Sequence, residues 1–87
     1  MSYNLIQLAP GAYDLYFHDT IVASVVRSGF RQPYTWTAEL LKDLPRKQRP
    51  TPFRDLEHSF PSLEELCAWL GQPPVKTNNR HTASLGV

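Results

Sequence analysis

Three short segments of this chain have side-chain patterns typical of β-strands, and they limit the fold more than any other feature. In the clearest segment, residues 34–41, every second side chain from Tyr34 to Leu40 is apolar. Residues 12–17 alternate in the same way, and residues 21–26 are β-branched or small throughout. A period of two indicates half-buried strands, and β-branched residues favour them. We therefore predict three antiparallel strands.

The first two of these strands are close enough in the chain to form a hairpin. The residues between them, 18–20, are polar turn formers without a glycine. The sequence leaves the register of this hairpin open. A three-residue loop would place Phe17 opposite Ile21, whereas a two-residue loop at positions 19–20 would place it opposite Val22.

Residues 62–70 carry the strongest local signal in the chain, and they predict a helix. Ser62 and Glu65 have the spacing of a capping box, in which each side chain bonds to the other residue's backbone N–H. Gly71 suits the left-handed conformation that ends many helices, and the prolines after it forbid continuation. Because so short a helix is unstable alone, its apolar stripe must dock on the sheet. That stripe consists of Leu63, Leu66, Cys67 and Leu70.

These elements predict one α+β domain at residues 1–71, an antiparallel β-meander of three to four strands packed against one short C-terminal α-helix. Residues 3–8 and 57–60 are further candidate strands that the pattern leaves open. Residues 42–57 contain three prolines, which disfavour a central strand. Residues 72–87 are mostly polar and are predicted to form a flexible C-terminal tail.

Composition is that of a soluble globular protein and argues against several functional classes. The chain has 87 residues, a formal net charge of +1 and one cysteine, Cys67. So balanced a charge gives no global reason to expect a polyanionic partner, and a single thiol cannot form an internal disulfide. No apolar run approaches the ~20 residues that span a membrane, and residues 1–10 lack the pattern of a signal peptide. We expect a cytoplasmic protein with neither a membrane partner nor a cofactor.

Regular alternation would make the second strand apolar on both of its faces. Val22 and Val26 share one face, and a single helix can cover only the other one. We expect the second face to be covered by the proline-rich loop (residues 42–57), by the N-terminal segment or by a second copy of the chain. The side chains predicted to face the helix are Tyr13, Leu15, Phe17, Ile21, Ala23, Val25, Tyr34, Trp36, Ala38 and Leu40.

Five of the nine basic residues lie in a single loop, residues 42–54. Basic side chains in a loop can neutralise phosphates, so this loop is the candidate nucleic-acid contact. Acidic residues within and after the loop oppose that interpretation, among them Glu64 and Glu65 at the start of the helix. Trp69, at the edge of the helix stripe, either closes the rim of the core or anchors a partner. The candidate contact residues are Arg46, Lys47, Arg49, Arg54 and Trp69.

Catalytic and metal-binding patterns are weak in this chain. Asp55, Glu57 and His58 are the types needed for acid–base chemistry, but neighbours on an extended segment point to opposite faces. The three histidines and Cys67 lack metal-ligand spacing. Cys67 lies on the apolar stripe, where a buried and inert thiol is expected. We predict no catalytic, cofactor or metal site.

Four segments, GAYDLYF, IVASVV, YTWTAELL and FPSLEELCAWLG, resemble small uncharacterised bacterial proteins of the strand-strand-strand-helix type. The resemblance covers residues 10–71 and is one of layout. It implies no activity, and no functional residue is carried over from it. The order of sheet and helix is also similar to part of the double-stranded-RNA-binding layout, whose first helix and basic helix start are missing here.

Together these observations predict a non-enzymatic protein-interaction module. The sequence does not identify its partner, which could be a second copy of the chain in a homodimer. The alternative is a weak RNA- or DNA-binding protein that uses the basic loop, residues 42–54.

Overall fold

The computed structural model describes residues 3–29 and 31–77, which form a six-stranded sheet with one α-helix. In chain order the elements are β1 (Tyr3–Ala9), β2 (Ala12–Phe17), β3 (Thr20–Ser28), β4 (Thr35–Leu40), a 3-10 turn (Arg46–Gln48), β5 (Glu57–Phe60), α1 (Leu63–Trp69) and β6 (Val75–Thr77). The strand order is β5-β4-β3-β2-β1-β6, with β6 parallel to β1 and every other pair antiparallel. The predicted α+β class is confirmed. The prediction of three to four antiparallel strands is wrong, because the sheet has six strands and is mixed.

Both strands that the sequence left open are present at the edges of the predicted meander. β1 pairs with β2, where Leu5 lies opposite Leu15, and β5 pairs with β4, where Ala38 lies opposite His58. Tyr3 and Leu5 are buried and alternate with partly exposed neighbours. The N-terminal segment is therefore part of the sheet rather than a cover for it.

The sixth strand results from a crossover that the sequence does not indicate. After β5 the chain passes through α1 and returns at the opposite edge of the sheet, where β6 joins β1. The Leu5 backbone N–H donates to the Pro74 carbonyl oxygen at 3.0 Å. β6 has only three residues, all exposed, and it follows two prolines. Residues 72–77 belong to the predicted tail, yet the sheet continues to residue 77. The rest of that tail, 78–87, lies outside the described residues.

The β2–β3 hairpin has a register different from both alternatives. Its loop is His18–Asp19, so Phe17 lies opposite Thr20, and His18 takes the positive φ of 58° that the turn needs. Val22 is then an extra residue in β3, because the pairing passes directly from Ala23 to Ile21. Such a β-bulge reverses the facing of the residues beyond it.

The bulge corrects two side-chain assignments. Ile21, predicted to face the helix, lies on the opposite face and is 38% exposed. Val22, predicted to lie on that opposite face, packs against the core. Tyr34 also lies outside the core set, because β4 begins at Thr35.

The core lies between one face of the sheet and a layer made by α1 and the proline-rich loop. The loop contributes Phe53, which is 5% exposed. The helix and the loop therefore cover the same face, and the other face, called the outer face below, carries exposed side chains such as Ile21 and Val26. The buried residues are Tyr3, Leu5, Tyr13, Leu15, Ala23, Val25, Ala38, Leu40, Phe53, Leu66, Cys67 and Leu70.

At the start of helix α1 only the Ser62 half of the predicted capping box forms, whereas the predicted cap at its C-terminal end is present. The Ser62 hydroxyl oxygen accepts a hydrogen bond from the Glu65 backbone N–H at 3.1 Å. At the other end, the N–H of Gln72 donates to the Cys67 carbonyl oxygen and the N–H of Gly71 to that of Ala68. These two bonds, with φ of +87° at Gly71, form a Schellman motif. Local caps thus fix both ends of a helix that packs against β4 and β5.

Tyr3 connects the first strand to the proline-rich loop. Its side chain is 3% exposed, and its hydroxyl donates a hydrogen bond to the Thr51 carbonyl oxygen at 2.7 Å. Burial raises the pKa of Tyr3 to about 12. The phenol therefore stays protonated, and able to donate, well above the range in which an exposed tyrosine ionises.

We expect Tyr3→Phe to lower the free energy of unfolding by about 1 kcal/mol, because it removes one hydrogen bond and leaves the ring in place. The folded pKa lies above the unfolded value, so the contribution is complete below pH 10 and is lost as the pH rises toward 12. Urea titrations of both proteins across this range measure it. The difference in free energy of unfolding between wild type and variant should become smaller with rising pH. A constant difference would contradict the raised pKa of Tyr3, and no difference at neutral pH would contradict the hydrogen bond.

Candidate functional site

The basic loop presents three of its four predicted contact residues to solvent. Arg46 and Lys47 are exposed on the 3-10 turn, and Arg54 is exposed near the end of the loop. None of the three forms an ion pair with another residue in the described ranges. Their charges are thus available to a partner.

The fourth predicted contact, Arg49, is used inside the loop. Its Nε donates to the Leu44 carbonyl oxygen at 2.9 Å, and a terminal guanidinium nitrogen donates to the Arg54 carbonyl oxygen. The side chain is only partly exposed. Arg49 therefore closes the loop on itself, and the set of basic side chains free to contact a ligand is smaller than the sequence predicts.

Trp69 lies in an aromatic cluster at the rim of the core. Its ring centroid is 4.9 Å from that of Phe53, 4.7 Å from that of His58 and 5.0 Å from that of Phe60. The cluster joins the helix, β5 and the proline-rich loop. Of the two roles that the sequence leaves open for Trp69, this position favours closure of the core.

The acidic and basic groups of residues 55–59 are separated by the pleat of β5. Glu57 lies opposite Glu39 on the outer face, whereas His58 lies opposite Ala38 on the core side. The Nε2 atom of His58 accepts hydrogen bonds from the backbone N–H groups of Arg54 and Asp55, at 3.2 and 3.0 Å. The imidazole thus orders the end of the basic loop, and Glu57 and His58 lie on opposite faces of the sheet, as expected for neighbours on a strand.

Cys67 is buried among the core residues. Burial, with a smaller contribution from the Glu64 carboxylate, raises the pKa of its thiol. A thiol with a raised pKa is a poor nucleophile at neutral pH. In residues 3–29 and 31–77, no group of three metal-ligating side chains lies together.

Within the same ranges, no helix is long and apolar enough to cross a membrane. The cytoplasmic location stays a prediction.

The outer face carries a row of apolar side chains that the sequence did not group together. Tyr16 lies directly opposite Ile21 across the β2–β3 pair. Ile6 and Tyr16 line one shallow depression of about 300 Å³. Ile21 and Leu41 line a second one of about 220 Å³ at the edge of this face, where the remaining lining residues are Thr20, Val22, Lys42 and Leu44. We call these four residues, Ile6, Tyr16, Ile21 and Leu41, the outer strip. Only the bulge at Val22 brings Ile21 into it, so alternation alone could not have found it.

Carboxylates lie beside the outer strip in one row across the sheet. The row runs through opposed positions of β2, β3, β4 and β5, which are occupied in turn by Asp14, Ser24, Glu39 and Glu57. None of the three carboxylates forms an ion pair with another described residue. Glu39 and Glu57 lie directly opposite each other, and like charges in that position destabilise a sheet.

We expect Glu39→Gln to raise the free energy of unfolding by about 0.2–1 kcal/mol, because it removes this repulsion. Denaturant titration at low salt measures the gain, which added salt should reduce. Glu57→Gln is the matched variant, since it removes the same repulsion from the other side. The double variant should gain little more than either single one; additive gains would show that the two carboxylates do not interact.

No family model, curated protein or solved structure matches this chain. The likeness to small bacterial strand-strand-strand-helix proteins therefore stays a prediction. Among the described surfaces, the outer face combines exposed apolar side chains with carboxylates that form no ion pair with another described residue.

Proposed function

We propose that this chain is a non-enzymatic protein-interaction module that binds a protein partner through the outer face of its sheet. The observation that supports the proposal best is the outer strip. It lies on the face opposite the helix, beside three carboxylates that form no ion pair with another described residue. Contiguous exposed apolar residues with polar neighbours are typical of protein-binding surfaces.

The outer strip supplies what the centre of an interface needs. Ile21 is 38% exposed and Leu41 is 57% exposed, so both have apolar area left to bury. Each Å² of that area removed from water contributes about 25 cal/mol to association. Tyr16 lies opposite Ile21 and lines the same depression as Ile6, and tyrosine is one of the residues that most often dominate binding energy.

The charges beside the outer strip indicate a basic partner. Glu39 and Glu57 repel each other in the isolated chain, and Asp14 lies in the same row. Lys76 is the basic residue at the end of this row, opposite Ile6. A lysine or arginine from a partner would relieve the repulsion, whereas a second copy would bring further carboxylates. We therefore propose a different protein with basic and apolar residues, rather than a homodimer.

Ile21→Lys should weaken partner binding by about tenfold or more, because it places a charge in the outer strip and repels a basic partner. Cross-linked complexes captured from extracts by wild type and variant, quantified by mass spectrometry, measure the loss. Val75→Lys is the matched control: Val75 is 49% exposed, but it aligns with Leu5 on the core side of the sheet.

Both lysine variants should keep the stability of the wild type within about 0.5 kcal/mol, because both positions are exposed. Equal capture by the two variants would contradict the proposal. Sedimentation of the isolated chain tests self-association. If the wild type is a dimer and Ile21→Lys is a monomer, the partner of the outer face is a second copy of the chain and not a different protein.

Nucleic-acid binding is the second candidate function, and the free charges of the basic loop support it. Arg46, Lys47 and Arg54 are exposed without ion-pair partners among the described residues. The commitment of Arg49 to the loop weakens the case, since three contacts neutralise few phosphates.

If the loop binds nucleic acid through three phosphate contacts, affinity for an RNA or DNA duplex should fall about forty-fold between roughly 50 and 200 mM salt. Fluorescence anisotropy of a labelled duplex measures the slope. The double variant of Arg46→Gln and Lys47→Gln should lower the salt dependence of the affinity by the equivalent of about two phosphate contacts. Arg31→Gln with Lys76→Gln removes the same charge elsewhere and should change it less. Equal effects of the two double variants would exclude the loop as the specific contact.

A further inference from the structure

An open cleft of about 410 Å³ lies at the end of the sheet opposite the β2–β3 turn, next to the start of α1. Arg27 at the end of β3 and Trp36 at the start of β4 line it together with Tyr34. The far wall is formed by residues 61–64. We call this the Arg27 cleft. It shares no residue with the outer strip or the basic loop.

Contacts on two sides hold the Arg27 side chain in place. Its guanidinium carbon lies 4.2 Å from the centroid of the Tyr34 ring, a cation–π arrangement. On the other side it lies against the β1–β2 turn: a Cβ added at Gly11 would be 3.2 Å from Arg27 Nε and 3.3 Å from its Cζ. The backbone N–H of Arg27 also donates to the Gly11 carbonyl oxygen at 2.9 Å. Glycine at this position thus leaves the room that the arginine occupies.

The positioned guanidinium of Arg27 has no carboxylate partner among the described residues. Its planar N–H donors match the two oxygens of a carboxylate better than a lysine ammonium would. Ordering a free arginine costs up to about 2 kcal/mol of side-chain entropy. Arg27 is exposed, but because Tyr34 and Gly11 already restrict its side chain, an anionic group can bind at a lower entropic cost than it would to an arginine without such contacts.

The walls of the Arg27 cleft determine what accompanies the anionic group. Trp36, Pro33, Pro61 and Leu63 offer flat apolar surface, and Gln32 and Ser62 offer polar atoms. The Glu64 carboxylate also lines the cleft, so a ligand needs its negative charge on the Arg27 side only. Apolar walls with few polar groups are typical of ligand sites, and this volume lies at the lower end of their range.

We propose that the Arg27 cleft binds a short segment of a partner protein, which presents a carboxylate to Arg27 and lays a proline or aromatic side chain against Trp36. The carboxylate can belong to an aspartate or glutamate side chain or to a chain's C-terminus. The site extends the interaction role to a second surface of opposite charge preference, since the outer face favours a basic partner. It does not depend on the outer strip.

Three synthetic peptides distinguish the two sources of the carboxylate. The first is acetyl-Ala-Glu-Pro-Phe-Ala-amide, the second replaces its Glu by Gln, and the third is the Gln peptide with a free C-terminus. The two tryptophans of the chain provide the readout in ¹H–¹⁵N NMR titrations. The indole N–H signal of Trp36 should shift with peptide concentration, while that of Trp69, in the aromatic cluster, should not.

Binding of the first or the third peptide identifies the side-chain or the terminal source. Arg27→Ala should weaken it by about tenfold or more, and Arg27→Lys should restore only part of it. Tyr34→Leu keeps the charge but frees the arginine, and should weaken binding less than Arg27→Ala. Arg31→Ala, a neighbouring exposed arginine, is the control. Ile21→Lys should leave peptide binding to the Arg27 cleft unchanged, so the proposals for the outer face and for the cleft can be tested independently.

Several outcomes would overturn the proposal. If the amidated Gln peptide binds as tightly as the Glu peptide, the carboxylate is not needed for binding. If Arg27→Ala binds with unchanged affinity, the arginine is not needed for binding. Inorganic phosphate that shifts the Trp36 signal at lower concentration than any peptide would replace the carboxylate by a phosphate group. Absence of any shift with all three peptides and with phosphate would show that the cleft binds neither anion.

Discussion

Burial of one sheet face under a seven-residue helix is the constraint on which the rest of this structure depends. A helix of that length covers too little of a six-stranded sheet, so the proline-rich loop must complete the layer. Phe53 does so from above, while the hydroxyl of Tyr3 holds the loop backbone from the sheet side. Because the helix and the loop both lie on the core side, no element within residues 3–29 and 31–77 forms a second layer over the outer face.

One extra residue in β3, Val22, determines which apolar side chains of this strand lie on the outer face. With regular pairing, Ile21 would lie toward the helix and Val22 toward solvent, and the exposed apolar side chains would be scattered. The bulge exchanges the two and sets Ile21 beside Tyr16. Bulges recur next to functional sites, where they turn a side chain to the other face of the sheet.

The proposed binding surfaces are the places where this chain departs from what stability alone would favour. Among the described residues, Glu39 and Glu57 lie opposite each other without an ion-pair partner, and Arg27 lies between Gly11 and Tyr34 without a carboxylate partner. Local departures of this kind are expected at functional sites, where a partner supplies the missing charge. The two surfaces have opposite charge preferences, so one partner chemistry does not satisfy both.

The sequence by itself determined the elements that depend on nearby residues. Alternation predicts the central strands, and the caps at Ser62 and Gly71 predict the helix, because their hydrogen bonds join residues at most five positions apart. Tertiary structure decided whatever depends on distant partners. β6 exists because Pro74 reaches Leu5 across the fold, and the position of the Val22 bulge follows from pairing with β2 on one side and β4 on the other. The outer strip and the Arg27 cleft belong to this second class, since each joins residues from several strands whose registers no local pattern specifies.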